Sequence, residues 1–129
     1  MSGLCLAAGA ATVRLAVAAF TLAWTHSVEK ILWEEDYRVE HAALVLIESR
    51  VRGSGAGMEP PEGAVLEGGA WRYRPGLPPL PELVLARSGA TADWLLCPGG
   101  EGCRPLGSLI PDAAAPQVTL RACAAQEKP

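Results

Sequence analysis

From Phe20 to Ser27, large apolar side chains alternate with small or polar ones: Phe20, Leu22 and Trp24 against Thr21, Ala23, Thr25 and Ser27. A period of two sets the large residues on one face of an extended strand, whereas the helical period of 3.6 would scatter them. The alternation returns in Tyr37-Arg38-Val39-Glu40-His41 and in Trp71-Arg72-Tyr73-Arg74. Leu4-Cys5-Leu6 and residues 13–17 predict two short strands that turn at Ala8-Gly9-Ala10. Residues 44–52, apolar first and alternating later, predict a central strand that emerges towards solvent. In the last third, runs at 82–87, 93–97, 103–110 and 117–123 are separated by turn residues at short intervals. No convincing amphipathic helix and no internal repeat interrupts the pattern. The expectation is an all-β fold, a single small antiparallel sandwich or barrel of about eight short strands.

Between the strands, residues 29–36 predict a connecting loop or a short helical turn. Residues 53–69 hold several glycines with Pro60 and Pro61, and predict an irregular loop of a length that tends to serve function. Pro75, Pro78, Pro79 and Pro81 exclude a central strand, because proline lacks a ladder donor, and predict a polyproline-like crossing. The chain's 129 residues suffice for one ordinary domain, set at 1–123, with a flexible tail at 124–129. With only 5% aromatic residues, the core must rest on a modest set of Leu, Val, Trp, Tyr and Phe.

Four cysteines need an explanation in so short a chain. They allow three disulfide connectivities, and zinc ligation or free thiols are the rivals. Cys97 and Cys103 flank the glycine-rich turn Pro98-Gly99-Gly100-Glu101-Gly102, which can close a short hairpin and bring two sulfurs together. Cys5 and Cys123, near the two ends, both depart from the apolar parity of their strands and can bond across a strand pair. Disulfides imply an extracytoplasmic, for instance periplasmic, location. Residues 4–24 are mostly apolar, but no Lys or Arg precedes them, and Arg14 in their middle would cost on the order of 3 kcal/mol in a bilayer. They are therefore read as folded domain with no membrane span, and an export signal is expected to lie outside this sequence. The net charge of −3 is spread along the chain, which argues against nucleic acid; Arg72 and Arg74 are the nearest thing to a basic cluster.

Residues 20–58 concentrate the polar chemistry: both histidines, the Glu34-Glu35-Asp36 run and Gly53-Ser54-Gly55-Ala56-Gly57-Met58. Parity sets His26 on the core-facing side with Trp24 and Ser27 on the other, so this histidine cannot serve this serine as its base. Around Ser54 the G-x-S-x-G elbow is absent, and after Gly57 no Lys-Ser/Thr follows as a phosphate loop requires. His26, His41, Glu34, Glu35 and Glu48 have ligand chemistry without a spacing diagnostic for a metal. No catalytic residue, metal or cofactor is assigned. His26, Ser27, Glu29, Glu34, Glu35, Gly55, Gly57 and Met58 stand as contacts to a ligand or partner, the glutamates in a solvated loop beside His26.

Phe20-x-Leu-x-Trp-x-His26-Ser27-Val28-Glu29-Lys30, an acidic residue at Glu34 or Glu35 ahead of Tyr37 and Val39, and Gly55-Ala56-Gly57-Met58 together resemble a bacterial domain-of-unknown-function family. Its members are small extracytoplasmic proteins often encoded beside TAXI-type TRAP transporters. The resemblance runs over nearly the whole chain, including Leu4-Cys5-Leu6, Leu96-Cys97, Cys103-Arg104-Pro105-Leu106 and Cys123. It implies an accessory or binding protein of a TRAP-type uptake system, with a solute-binding protein, a permease or a small solute as partner. The alternative is a small metal-dependent or acid/base hydrolase using His26 and nearby carboxylates.

Overall fold

A computed structural model describes residues 2–25, 31–52, 63–87, 93–99, 102–110 and 115–124. In chain order its elements are β1 (Ser2–Ala8), β2 (Ala11–Leu15), β3 (Ala19–Thr25), β4 (Leu32–Glu40), β5 (Ala43–Arg52), β6 (Val65–Glu67), β7 (Ala70–Tyr73), β8 (Leu83–Ala86), β9 (Leu95–Pro98), β10 (Arg104–Pro105), the helical turn α1 (Leu106–Leu109) and β11 (Gln117–Ala124). The strands form two antiparallel sheets, one of four in the order β2-β1-β11-β8 and one of seven in the order β10-β9-β3-β4-β5-β7-β6. Neither closes on itself, so the sandwich expected from sequence is found and the barrel is not. Among the described residues no helix is long and apolar enough to cross a membrane.

The alternation read in the sequence builds the core. Leu4 and Leu6 of β1 and Val118 and Leu120 of β11 are fully buried, and so are Phe20 and Leu22 of β3 and Leu44 of β5. They form one cluster between the sheets, in which each buried Leu or Phe contributes roughly 1.5–3 kcal/mol. Phe20 and Tyr37 face each other across β3 and β4 with their rings stacked at 5.2 Å. The β1–β2 turn is made at Gly9, whose φ of 56° is open to glycine at little cost.

Both disulfides expected from the cysteine positions are present, Cys5–Cys123 and Cys97–Cys103. Gly3 pairs with Cys123 and Cys5 with Arg121, so the first bridge runs diagonally across β1 and β11, off the face that carries Leu4 and Leu6. Arg14, the charge that broke the apolar run, pairs with Cys5 on this outer face, and its Nε donates to the Ala124 carbonyl at 3.2 Å. A Cβ at Gly3 would stand 2.5 Å from its guanidinium, which can move, and 2.9 Å from the Leu15 main-chain oxygen, which cannot do so cheaply and so favours glycine at that position.

Six local expectations are corrected. Residues 32–36 are not loop or helix but the first half of β4, hydrogen-bonded to β3 from Ala19↔Arg38 to Thr25↔Leu32. The second half of β5 does not emerge towards solvent: Ser49, Arg50 and Val51 are buried because β4 and β7 flank it on both sides. Within the expected irregular loop, Val65–Glu67 forms β6, turned onto β7 through Gly68 and Gly69, both at positive φ. The expected strand at 103–110 is two residues of strand followed by α1, which buries Leu106. His41 does not continue the buried face of Tyr37 and Val39; it is exposed in the β4–β5 turn, where Ala42 takes a φ of 64°. Ala124, assigned to the tail, is the last residue of β11.

Candidate functional site

Register assigns the side chains of the larger sheet to two faces. On the inner face, one row across the strands is Leu96, Leu22, Glu35, Ser49 and Tyr73, and the next is Trp24, Trp33, Val51, Trp71 and Leu66. A polar pair, Glu35 and Ser49, therefore stands between the apolar core and a tryptophan-rich row at one end of the sheet. The chain has four tryptophans; three are in or against this row and the fourth, Trp94, packs on Trp24 with ring centroids 4.9 Å apart. Trp24 also stacks on Trp33 at 6.1 Å. All four are only half-buried.

Glu35 is the one acidic residue of β4 on this inner face. The Tyr37 hydroxyl donates to its Oε1 at 2.8 Å. Burial pushes the Glu35 carboxyl above its ordinary value of 4.5, and the tyrosine hydrogen bond only partly opposes this. Tyr37 is pushed upward in turn, by burial first and then by the facing carboxylate. The pair has a carboxyl that holds its proton more tightly than usual beside a hydroxyl that stays protonated. It can accept or donate a hydrogen bond to a polar group resting on the aromatic row.

The outer face is different in kind. Arg50 grips Asp36 with two nitrogens, at 2.6 and 2.8 Å, and reaches Glu48 at 2.7 Å and Glu34 at 3.5 Å. Arg52 holds Glu34 at 2.8 Å, Arg72 holds Glu48 at 3.2 Å, and the Thr21 hydroxyl donates to Asp36 at 2.7 Å. Burial alone would raise the Asp36 carboxyl, but the Arg50 and Thr21 hydrogen bonds and the charges of Arg50 and Arg72 outweigh it and hold it below 3.8. Three arginines and three carboxylates are thus paired over β4, β5 and β7 in a structural lattice, in which the buried Arg72 Nε is left without a hydrogen-bond partner among the described residues.

A third polar centre ties the sheets' margins. Asp93 accepts from Arg87 Nε and Nη2 at 3.1 and 2.9 Å and from the main-chain N–H groups of Trp94 and Gly107 at 2.9 and 2.8 Å. With the Trp94 indole N–H donating to the Ala86 carbonyl at 2.9 Å, this fixes the Trp94 ring against Trp24.

Of the residues singled out in the sequence, Glu34 and Glu35 are described, and the structure separates them. Neighbours in a strand point to opposite faces, so Glu34 joins the arginine lattice while Glu35 turns inward. Glu48 lies with Glu34 in the lattice, and His41 is in the turn beyond β4; among the described residues no group of three His, Cys, Asp or Glu side chains is placed to hold a metal ion. His26, Ser27, Glu29, Gly55, Gly57 and Met58 lie outside the described residues. β3 ends at Thr25, beside Trp24, and β5 at Arg52, beside Val51, so both strands finish at the tryptophan end. Sequence reasoning missed the aromatic row because Trp33 fell in a presumed loop. The parity of Trp24 and the concentration of tryptophan in a chain poor in aromatics were the available signals.

No curated protein and no solved structure matches the chain. The model of the family described as "Domain of unknown function (DUF1850)" matches residues 20–106, which take in every strand of the seven-stranded sheet together with β8. The matched segment is more than half of the chain and contains Glu35, Tyr37 and all four tryptophans, and the protein accordingly belongs to the DUF1850 family.

Proposed function

We propose that this protein is an extracytoplasmic, non-catalytic binding module, accessory to a TRAP-type solute uptake system, and that the tryptophan end of the larger sheet is its contact surface. The observation that carries the reading is the half-exposed Trp24–Trp33–Trp94 cluster beside the inward Glu35–Tyr37 pair. Aromatic side chains with a few oriented polar groups are the make-up of interface cores and ligand-binding clefts. Two disulfides favour an oxidising compartment. The uptake link is supported by the family resemblance in the His26-Ser27 and Gly55-Ala56-Gly57-Met58 motifs. In this reading His26, Ser27, Glu29, Gly55, Gly57 and Met58 contribute to the same surface, as sequence neighbours of the strand ends at Thr25 and Arg52.

The rival is a hydrolase using His26 and Glu35, favoured by the raised carboxyl of Glu35. One experiment separates them. The disulfide-bonded protein is immobilised and presented, with a chelator present, to the purified solute-binding protein and to the permease in lipid nanodiscs. Binding to one of them is expected, weakened about tenfold or more by Trp33→Ala or His26→Ala, as for loss of an interface anchor. Absence of binding to both, or hydrolysis of ester, peptide or phosphoester substrates that is lost in Glu35→Gln, contradicts the proposal.

A further inference from the structure

One of the two edges of the seven-stranded sheet is β6, and no described strand pairs with its outer side. Two of its three residues are among the most exposed large hydrophobic side chains, Val65 at 58% and Leu66 at 57%. Bare edges with apolar side chains are sites for pairing with another strand. Glu67 and Arg74 on the same hairpin are both exposed and make no ion pair among the described residues, in contrast to Arg72 between them, which holds Glu48. They are not paired with each other: Glu67 is opposite Ala70, four residues or about 13 Å along the strand from Arg74.

We infer that β6 pairs antiparallel with β6 of a second copy of this chain, about a two-fold axis at Leu66. In that arrangement Leu66 meets the partner's Leu66, and Val65 meets the partner's Glu67. The register of β6 on β7 sets Val65 opposite Arg72, and Arg74, one residue past the end of β7 at Tyr73, follows two residues further along. The partner's Glu67 is then about 7 Å from Arg74 along the strand and about 10 Å across it, a diagonal that extended Arg and Glu side chains close together. Gly63, just ahead of β6, leaves open space there: even a Cβ on it would meet nothing within 4 Å. The two-fold repeats the contact, so two unmatched charges of each chain become two intermolecular ion pairs, and both exposed apolar residues are covered. This self-complementarity selects a second copy over an unrelated partner. On the inner face the row from Trp24 to Trp71 and Leu66 continues into its own copy. The edge is short, so the association is weak, with a dissociation constant on the order of tens of micromolar.

The inference is independent of the binding reading above. Sedimentation velocity of the full disulfide-bonded chain, from about 5 to about 500 μM at low salt, tests it. A monomer–dimer equilibrium is expected, weakened at least tenfold by Glu67→Arg or by Arg74→Glu. The double variant Glu67→Arg/Arg74→Glu should return to within about threefold of the original, because the swapped charges meet again across the axis. Both positions are exposed, and recovery in the double variant shows that the single variants fold. A chain that stays monomeric overturns the inference, as does a dimer indifferent to the single swaps or not recovered by the double one.

Discussion

Glu35 and Ala42 show how much a single position decides. Because the folded Glu35 carboxyl titrates above 4.5, the folded chain holds this proton more tightly than the unfolded chain does. Its contribution to stability is therefore fully present below pH 4.5 and is lost as pH rises through the folded value. Glu35→Gln keeps an acceptor for the Tyr37 hydroxyl and cannot ionise. Urea unfolding should show the variant gaining on the original chain between pH 4 and pH 7, with a higher midpoint at neutrality; an equal offset at both ends contradicts the assignment. Asp36 has the opposite sign: held below 3.8, it stabilises the fold above that value and loses the effect as pH falls through its folded value. At Ala42 the backbone sits at a φ of 64°, where a Cβ is strained. Ala42→Gly should stabilise by about 0.5–1 kcal/mol, less whatever the freer unfolded chain takes back, measured as a shift in the urea midpoint.

At the scale of elements, the outer-face lattice explains why β4 tolerates three consecutive acidic residues. Arg50 is 9% exposed and serves Glu34 and Asp36 from β4 and Glu48 from its own strand. Arg50→Ala leaves three partly covered carboxylates around one gap and should cost about 2–3 kcal/mol, more than Arg38→Ala, whose ion pair with Glu40 is in open solvent. A double-mutant cycle with Asp36→Ala should find positive coupling between the two; additive losses contradict the lattice. This element is also where the sequence was hardest to read. Acidic residues have poor strand propensity, and nothing local to Glu34-Glu35-Asp36 announces arginines 14 to 18 residues away that neutralise two of them. Adjacent in the chain, Glu34 and Glu35 suggested one site; the pleat separates them. Two other misreadings had local signals: Gly68-Gly69 after Val65-Leu66-Glu67 marks a hairpin, and Leu106, Leu109 and Ile110 follow helical rather than strand spacing.

At the scale of the whole molecule, alternation in β1, β3 and β11 pointed to the sandwich and set Cys5 and Cys123 off the apolar face where they can bond across a strand pair, because strand parity is fixed by covalent geometry alone. The two bridges should differ in weight. Cys5 and Cys123 are 118 residues apart and Cys97 and Cys103 only 6. By loop-closure entropy, replacing the first pair with serines should cost about 5 kcal/mol and the second about 2 kcal/mol, read from urea unfolding. Equal losses would mean that native-state strain or residual structure, not chain entropy, sets the contribution. The larger sheet, by contrast, presents two faces that no composition distinguishes: an ion-paired outer face and an inner face whose far end is aromatic and half-exposed. The functional reading depends on that distinction, and hydrogen exchange on the complex with the solute-binding protein or the permease tests it most directly. The account predicts added protection concentrated on residues 22–25, 32–35, 71–73 and 94–96, around Trp24, Trp33, Glu35, Trp71 and Trp94. Protection confined to the small sheet, on β1, β2 and β11, would contradict it.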